Sequence, residues 1–311
     1  MRNRWFIALA AIGLHISIGS VYAWSVLTRP IMADMGFTLS QTTWTFSLAI
    51  LILGLSAGFL GSFAEKIGPK KSGLLAMLFW VTGLLGTAYA LSIHNLTLLY
   101  LFYGIIGGIG LGIGYITPVS TLVKYFPNRP GFATGLAIMG FGFASLIAGP
   151  LMQYLVAQVG LVDTFIILGV IYLVIMSASS LYLKAPQPKH PTRTTKDKST
   201  MYVHTHGMLA NDAMKTWQFG ALWWVFFINI TCGIGLLSLA SPMAQEAIGM
   251  TPTAAASLVG IIGIFNGGGR IAWSTISDYL GRAQTYILFF IIQIIAFYLL
   301  AETNSVLTFQ I

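Results

Sequence analysis

Long apolar runs separated by short polar breaks dominate this chain. Nine of them stand out, at 5–27, 41–63, 72–92, 96–122, 131–157, 162–183, 217–240, 253–276 and 284–301. A helix that crosses hydrocarbon needs about 20 mostly apolar residues, and most of these runs are too long for helices of a soluble core. They predict an all-α membrane protein with nine transmembrane helices. The first run follows Arg2 and Arg4, as a signal peptide would. It continues to Tyr22 and Trp24, so it reads as a retained signal-anchor helix.

The polar breaks divide the chain unevenly. Six runs fall in 1–184, predicting a six-helix bundle. Residues 185–215 are rich in Pro, Thr, Lys and His and read as a cytoplasmic linker. Three more runs occupy 216–311 as a partial second bundle. His190, His204 and His206 in the linker match no defined metal-site spacing, so a solvated linker is the better reading and no metal is expected. Cys232 is the chain's one cysteine, which excludes an intrachain disulfide or a CxxC site.

Composition agrees with the pattern. The chain is 56% hydrophobic and 8% charged, with mean hydropathy +0.81. Soluble domains average about 25% charged residues, so 16 basic and 8 acidic side chains cannot cover a surface facing water all round. A soluble enzyme, a nucleic-acid-binding protein and a disordered tail are excluded. The net charge of +8 is explained by where the bases lie. With the N-terminus in the cytoplasm, the inner segments hold Arg2, Arg4, Lys66, Lys70, Lys71, Lys124, Arg129, Lys184, Lys189, Arg193, Lys196, Lys198, Lys215 and Arg282, 14 of the 16 Lys and Arg. The outer loops hold Arg29, and Arg270 lies within a span. This is a positive-inside pattern, and it places the basic loops against lipid headgroups. Every acid falls in a loop or at a span end.

Two loops repeat one design. Gly61-Ser-Phe-Ala-Glu65-Lys66-Ile-Gly68-Pro-Lys70-Lys71 follows the second span, and Ser274-Thr-Ile-Ser-Asp278-Tyr-Leu-Gly281-Arg282 follows the eighth. Each sets an acid, a turn glycine three residues on, then a base. The acid is expected to cap the next helix, and the glycine to permit the tight turn. Two such loops at equivalent places argue for the duplication found in secondary transporters.

The first loop resembles the signature of the major facilitator superfamily, with Glu65 and Lys66 in place of the commoner Asp and Arg. The second copy is weaker, with Ser274 and Tyr279 at the leading glycine and arginine places. A glycine-rich fifth span ending Gly149-Pro150 resembles the family's fifth-helix motif. More narrowly, Tyr22-Ala-Trp24-Ser25, the run from Lys124 through Pro127, Arg129 and Gly131 to Thr134-Gly135, and Asn266-Gly-Gly-Gly-Arg270 resemble the oxalate/formate antiporter family. The resemblance implies a major facilitator-type bundle of twelve helices in two sixes, of which nine are expected here, so the chain reads as a partial product.

Arg270 is the sharpest single feature. A charge within a span costs at least ~2.5 kcal/mol on insertion scales and marks function by default. Snorkelling to the nearer face is the alternative, since Asp278 lies eight residues on, about 12 Å along the helix. Helical side chains lean toward the helix N-terminus, which turns Arg270 toward the bilayer centre. No carboxylate of the spans can neutralise it, and a guanidinium matches a carboxylate bidentately. The resemblance implies the same role, since its matching arginine binds the substrate carboxylate. It places the family's second cation, a lysine, on an eleventh helix absent from this sequence.

Four further residues are candidates for substrate binding. Asn266 sits one turn before Arg270 and either supports it or bonds a neighbouring helix. His15, Gly19 and Tyr22 share one face of span one. His15 is either a proton-coupling group or a neutral interhelical partner. Tyr22 lines a cavity or anchors at the interface, and the resemblance favours the cavity; Trp24, about 200° around the helix, faces elsewhere. Tyr115 lies at about the depth of Arg270 and either lines the pocket or anchors at the interface. Gly104, Gly108 and Gly112 form a stripe that admits a close neighbouring helix. Gly267, Gly268 and Gly269 permit bending or close packing. Pro118 and Pro150 are expected to kink or end their helices. No Walker A or GxGxxG spacing occurs, so no nucleotide or other cofactor is expected.

These features predict a secondary transporter, antiporter or symporter, for a small organic anion such as oxalate, formate or another mono- or dicarboxylate, working by alternating access. Arg270, Tyr22, Tyr115, Asn266 and His15 are the binding candidates. Gly61, Glu65, Lys66, Gly68, Lys70, Asp278, Gly281 and Arg282 are the gating-loop candidates. The expected setting is a bacterial cytoplasmic membrane, with the protein a monomer among lipids. The alternatives are a fragment without transport activity, a transporter of another substrate class, and a membrane enzyme, for which no catalytic constellation is present.

Overall fold

The computed structural model describes residues 3–186 and 210–301. His190, His204 and His206 lie outside them. Eight helices are long and apolar enough to cross a membrane: α1 Arg4–Met35, α2 Leu39–Ile67, α3 Pro69–Ser92, α4 Leu96–Tyr125, α5 Pro130–Tyr182, α6 Trp217–Ala247, α7 Pro252–Leu280 and α8 Arg282–Leu300. The expected fifth and sixth spans both fall within α5. That run of 53 residues would be about 80 Å long if straight, far beyond a hydrocarbon core of about 30 Å. It is interrupted at Gly160, whose backbone is non-helical (φ 81°, ψ 178°), between limbs 130–159 and 161–182.

Local chemistry sets the helix ends. Asn3 caps α1, its side-chain oxygen accepting from the Trp5 N–H at 2.9 Å. Gly36 closes α1 in the left-handed conformation. Thr38 and Gln41 form a reciprocal capping box at the start of α2. Thr251 caps α7 ahead of Pro252. Pro118 and Pro150 both lie inside their helices and end neither. One stretch of α4, Tyr100–Gly107, is wound as a π-helix, which no feature of the pattern predicted.

The chain forms two compact units. Residues 210–236 belong to the smaller, where Trp223, Trp224 and Phe227 of α6 pack ring on ring. The larger takes in the residues up to 186 and those from Leu237 onward. Within it α1 is central: 72% of its most apolar window is buried, against 17% for α2. Small residues let the helices approach. Gly104, Gly108 and Gly112 of α4 receive Leu48, Ile52 and Ser56 of α2, as the stripe predicted. Gly110 of the same helix meets Trp80 and Ala76 of α3. Buried polar groups pair across helices, Trp80 Nε1 donating to the Ser17 carbonyl at 3.2 Å and Ser72 to Thr117 at 2.6 Å. The outer faces carry large apolar side chains, Phe59 at 82% exposure among them, as a surface meeting lipid requires.

The two ends of this unit differ in charge. At one end lie Arg4 over the Phe126 ring, Lys124 paired with Glu65, the Lys184 carbonyl bonded to Tyr125, and Asp278 paired with Arg282. At the other lie the pairs Arg29–Glu246 and His94–Asp34.

Candidate functional site

The site is built where three helices cross α5 or approach it. Gly19 of α1 lies against the Phe141 backbone of α5, so close that a Cβ there would come within 2.5 Å of the Phe141 carbonyl. Gly142 faces Gly267 of α7, where an added Cβ would lie 2.5 Å from the Gly267 Cα. Backbone therefore meets backbone on both sides of Phe141. Further along α7, Gly135 of α5 lies beside the Arg270 carbonyl and Ser274, and Gly131 beside the Asp278 carboxylate. Helix α5 packs extensively against both α1 and α7. Of the three consecutive glycines in α7, Gly267 serves this packing, while Gly268 has open space around it.

Arg270 is half-buried, and its side chain leans back along α7 as the helix direction requires. Nε donates to Asn266 Oδ1 at 2.8 Å, and Nη2 donates to the Tyr22 hydroxyl at 3.3 Å. The Tyr115 hydroxyl is a second phenolic neighbour. The guanidinium carbon stands 5.9 Å from the Tyr22 ring centre and 5.8 Å from that of Phe141. All these partners are neutral. Among the described residues no carboxylate pairs with Arg270. A guanidinium has five N–H donors, so donors remain for an acceptor that brings a negative charge.

Phe141 is the residue that the sequence did not single out. It is buried, and its ring meets Tyr22 at 4.7 Å, Tyr115 at 5.6 Å and His15 at 6.0 Å. The available signal was its place between Gly140 and Gly142, which strip bulk from both flanks. Tyr22 lies in a single 3-10 turn, Ser20–Ala23, within α1. Trp24 faces away, packed on Tyr103 at 4.3 Å, as the angular offset predicted.

His15 is fully buried. Its Nδ1 bonds the Ala137 carbonyl of α5, and its Nε2 lies 3.0 Å from the Tyr115 carbonyl of α4. Both ring nitrogens thus face backbone carbonyls of neighbouring helices.

The repeated loops share one backbone feature. Gly68 (φ 82°, ψ 160°) and Gly281 (φ 93°, ψ 151°) adopt nearly the same conformation, one open to glycine alone. The expected capping by the acid is corrected in the first copy: Gly68 is itself the N-cap of α3 and no side chain caps it. Glu65 instead reaches Lys124 Nζ at the end of α4, 3.1 Å away. In the second copy Asp278 pairs with Arg282 at 2.6 Å, and Arg282 also donates to Ser277. Gly61 lies beside Ile116 of α4. Lys66 and Lys70 belong to the same turn, with Lys66 in the last turn of α2 and Lys70 in the first of α3.

Membrane-length helices packed on glycine around an interior cation define a membrane protein of the solute-carrier class. The Major Facilitator Superfamily profile matches residues 6–309; the chain belongs to that superfamily of secondary transporters. It is an integral membrane protein with multiple helical spans. It is 30% identical over 312 residues to the MFS-type transporter YhjX of Escherichia coli (strain K12), covering 99% of this chain and 75% of that protein. It is 27% identical to the oxalate:formate antiporter of Oxalobacter formigenes over 91% of this chain and 65% of the relative. The crystal structure of a D-xylose-proton symporter superposes with a TM-score of 0.57 at 15% identity, over 89% of this chain and 70% of that one, which shows a shared fold alone.

Proposed function

We propose that this protein moves a small organic anion, such as oxalate, formate or another mono- or dicarboxylate, across a membrane by alternating access. The observation that carries this reading is the half-buried Arg270 guanidinium, held by neutral partners only. Asn266 and Tyr22 fix its orientation, and Phe141 and Tyr115 bound the space beside it. A carboxylate can accept from the free N–H groups, bringing the charge the site lacks. The likeness to an oxalate:formate antiporter supports the substrate class.

In this reading nine spans form two bundles, 1–184 and 216–311, joined by the linker 185–215, with the chain crossing once on each side of Gly160. The bundles rock about the site. The loop residues Gly61, Glu65, Lys66, Gly68, Lys70, Asp278, Gly281 and Arg282 limit that motion at the basic end of the bundle. That end faces the cytoplasm of a bacterial inner membrane, by the positive-inside rule, and the protein acts as a monomer.

The test is binding of oxalate and formate to the purified chain by calorimetry, with Arg270→Gln and Arg270→Lys as variants. Saturable binding that weakens at least tenfold in Arg270→Gln, and less in Arg270→Lys, supports the reading. Equal affinity in wild type and Arg270→Gln removes Arg270 from the site.

A further inference from the structure

We infer that His15 takes up a proton when an anion binds at Arg270, so that cargo and proton are thermodynamically linked. The inference rests on the anion site proposed above and deepens it.

The His15 ring has two partners. Nδ1 faces the Ala137 carbonyl and Nε2 the Tyr115 carbonyl. A carbonyl oxygen only accepts. A neutral imidazole carries one N–H and one lone pair, so either tautomer turns a lone pair toward a carbonyl oxygen. The imidazolium donates at both nitrogens and satisfies both. Two helices, α4 and α5, thus present a cradle complementary to the protonated ring. A neutral side chain kept only for helix packing needs one acceptor and one donor, and this cradle offers two acceptors.

What opposes a lasting charge is also visible. The titratable or charged groups facing His15 are Tyr115 from α4 and Arg270 from α7; Tyr22 follows on its own helix. The α5 residues against it, Ala137, Gly140 and Phe141, carry none. Among the described residues no carboxylate is paired with either cation. Two positive charges in one apolar interior repel, and each is costly without a counter-charge. The Phe141 ring centre lies 5.8 Å from the Arg270 Cζ and 6.0 Å from the His15 ring centre.

A carboxylate on Arg270 supplies the missing negative charge. It cancels the repulsion and leaves the two-carbonyl cradle free to hold the imidazolium. The proton comes from solvent and adds to a lone pair, with no other bond changed. Linkage is reciprocal: if the anion strengthens proton binding, protonation strengthens anion binding by the same factor. A monocarboxylate carried with this proton crosses as a neutral pair.

The test uses the full chain. Oxalate and formate both stay ionised near neutral pH, so any proton taken up is read from the protein. Each is titrated by calorimetry in phosphate and in Tris, whose ionisation heats differ. The expected result is a buffer-dependent enthalpy reporting net proton uptake by wild type. Affinity should fall with rising pH by up to about tenfold per pH unit, and in His15→Gln both effects should vanish. Equal enthalpies in the two buffers, or the same uptake in His15→Gln, overturn the proton linkage and leave the anion site standing. Failure of wild type to bind either anion overturns the anion site, and the linkage with it. Should His15→Gln not fold, a chain with His94, His190, His204 and His206 all replaced by Gln keeps His15 as its one imidazole. Its ¹⁵N spectrum should shift on adding formate from one protonated ring nitrogen to two; an unchanged spectrum with formate bound overturns the linkage.

Discussion

Tyr22 and Arg270 are 248 residues apart in the chain, and their side chains meet through one hydrogen bond of 3.3 Å. The phenol gives the cation an acceptor without neutralising it. It also places an aromatic face beside the guanidinium, 5.9 Å from ring centre to Cζ. Removing the hydroxyl while keeping the ring separates the two effects. Tyr22→Phe should weaken oxalate binding about three- to tenfold, in line with about 1 kcal/mol for one net hydrogen bond. Tyr22→Ala should weaken it further. Calorimetric titration of both variants checks this; equal affinity in Tyr22→Phe and wild type would place the hydroxyl outside the site.

The crossing of α5 and α7 depends on two glycines. An Ala Cβ at Gly142 would sit 2.5 Å from the Gly267 Cα, against backbone that cannot swing aside. Overpacking of this kind costs typically 1–3 kcal/mol. Gly142→Ala should lower the thermal midpoint of the detergent-solubilised protein and weaken anion binding, because the helix shift displaces Phe141 and Arg270 together. Gly58→Ala in α2, where an added Cβ meets nothing within 4 Å, should leave the midpoint unchanged or raise it.

The repeated loops predict matched costs. Gly68 and Gly281 hold φ values of 82° and 93°, and a side chain in that region costs on the order of 1–3 kcal/mol. Gly68→Ala and Gly281→Ala should each destabilise the protein by a similar amount in thermal unfolding. A large loss at one and none at the other would break the equivalence of the two copies.

At the end of the bundle away from these loops, Arg29 of α1 donates to Gln245 at 3.2 Å and to Glu246 at 2.9 Å, both near the end of α6. The side chains of this ion pair are 40% and 59% exposed, so it contributes less than about 1 kcal/mol. A contact that weak can break and re-form during transport. In a Cys232→Ser background, Arg29→Cys with Glu246→Cys should cross-link with a short bifunctional thiol reagent, and the cross-link should abolish uptake of labelled oxalate into proteoliposomes. Glu246→Gln should shift the thermal midpoint little. Uptake unaffected by a complete cross-link would show that these helices need not part.

Much of the fold was legible in the sequence because its signals are local. The apolar runs and the turn glycines at 68 and 281 each act through neighbours within a few residues. Arg270 was legible as a cation in an apolar run, and Asn266 as its partner one turn away. Glu65 was misread for the complementary reason. Its partner Lys124 lies 59 residues on, and nothing in the loop itself announced that the two helix ends would meet. Phe141 was passed over because one aromatic among 20 phenylalanines in an apolar chain carries no periodic mark.

The sequence by itself determined which segments are helices, which are apolar enough to enter a membrane, and which residue there would be left charged. Those properties follow from the rise per residue of a helix, the thickness of hydrocarbon and the cost of burying charge, and each is a property of a segment taken alone. Tertiary structure decided which faces touch: Gly142 on Gly267, Phe141 among Tyr22, Tyr115 and His15, Arg29 on Glu246. Helix pairing in an apolar medium rests on close packing, which falls away within an ångström of contact. Only the assembled shape of both surfaces settles it.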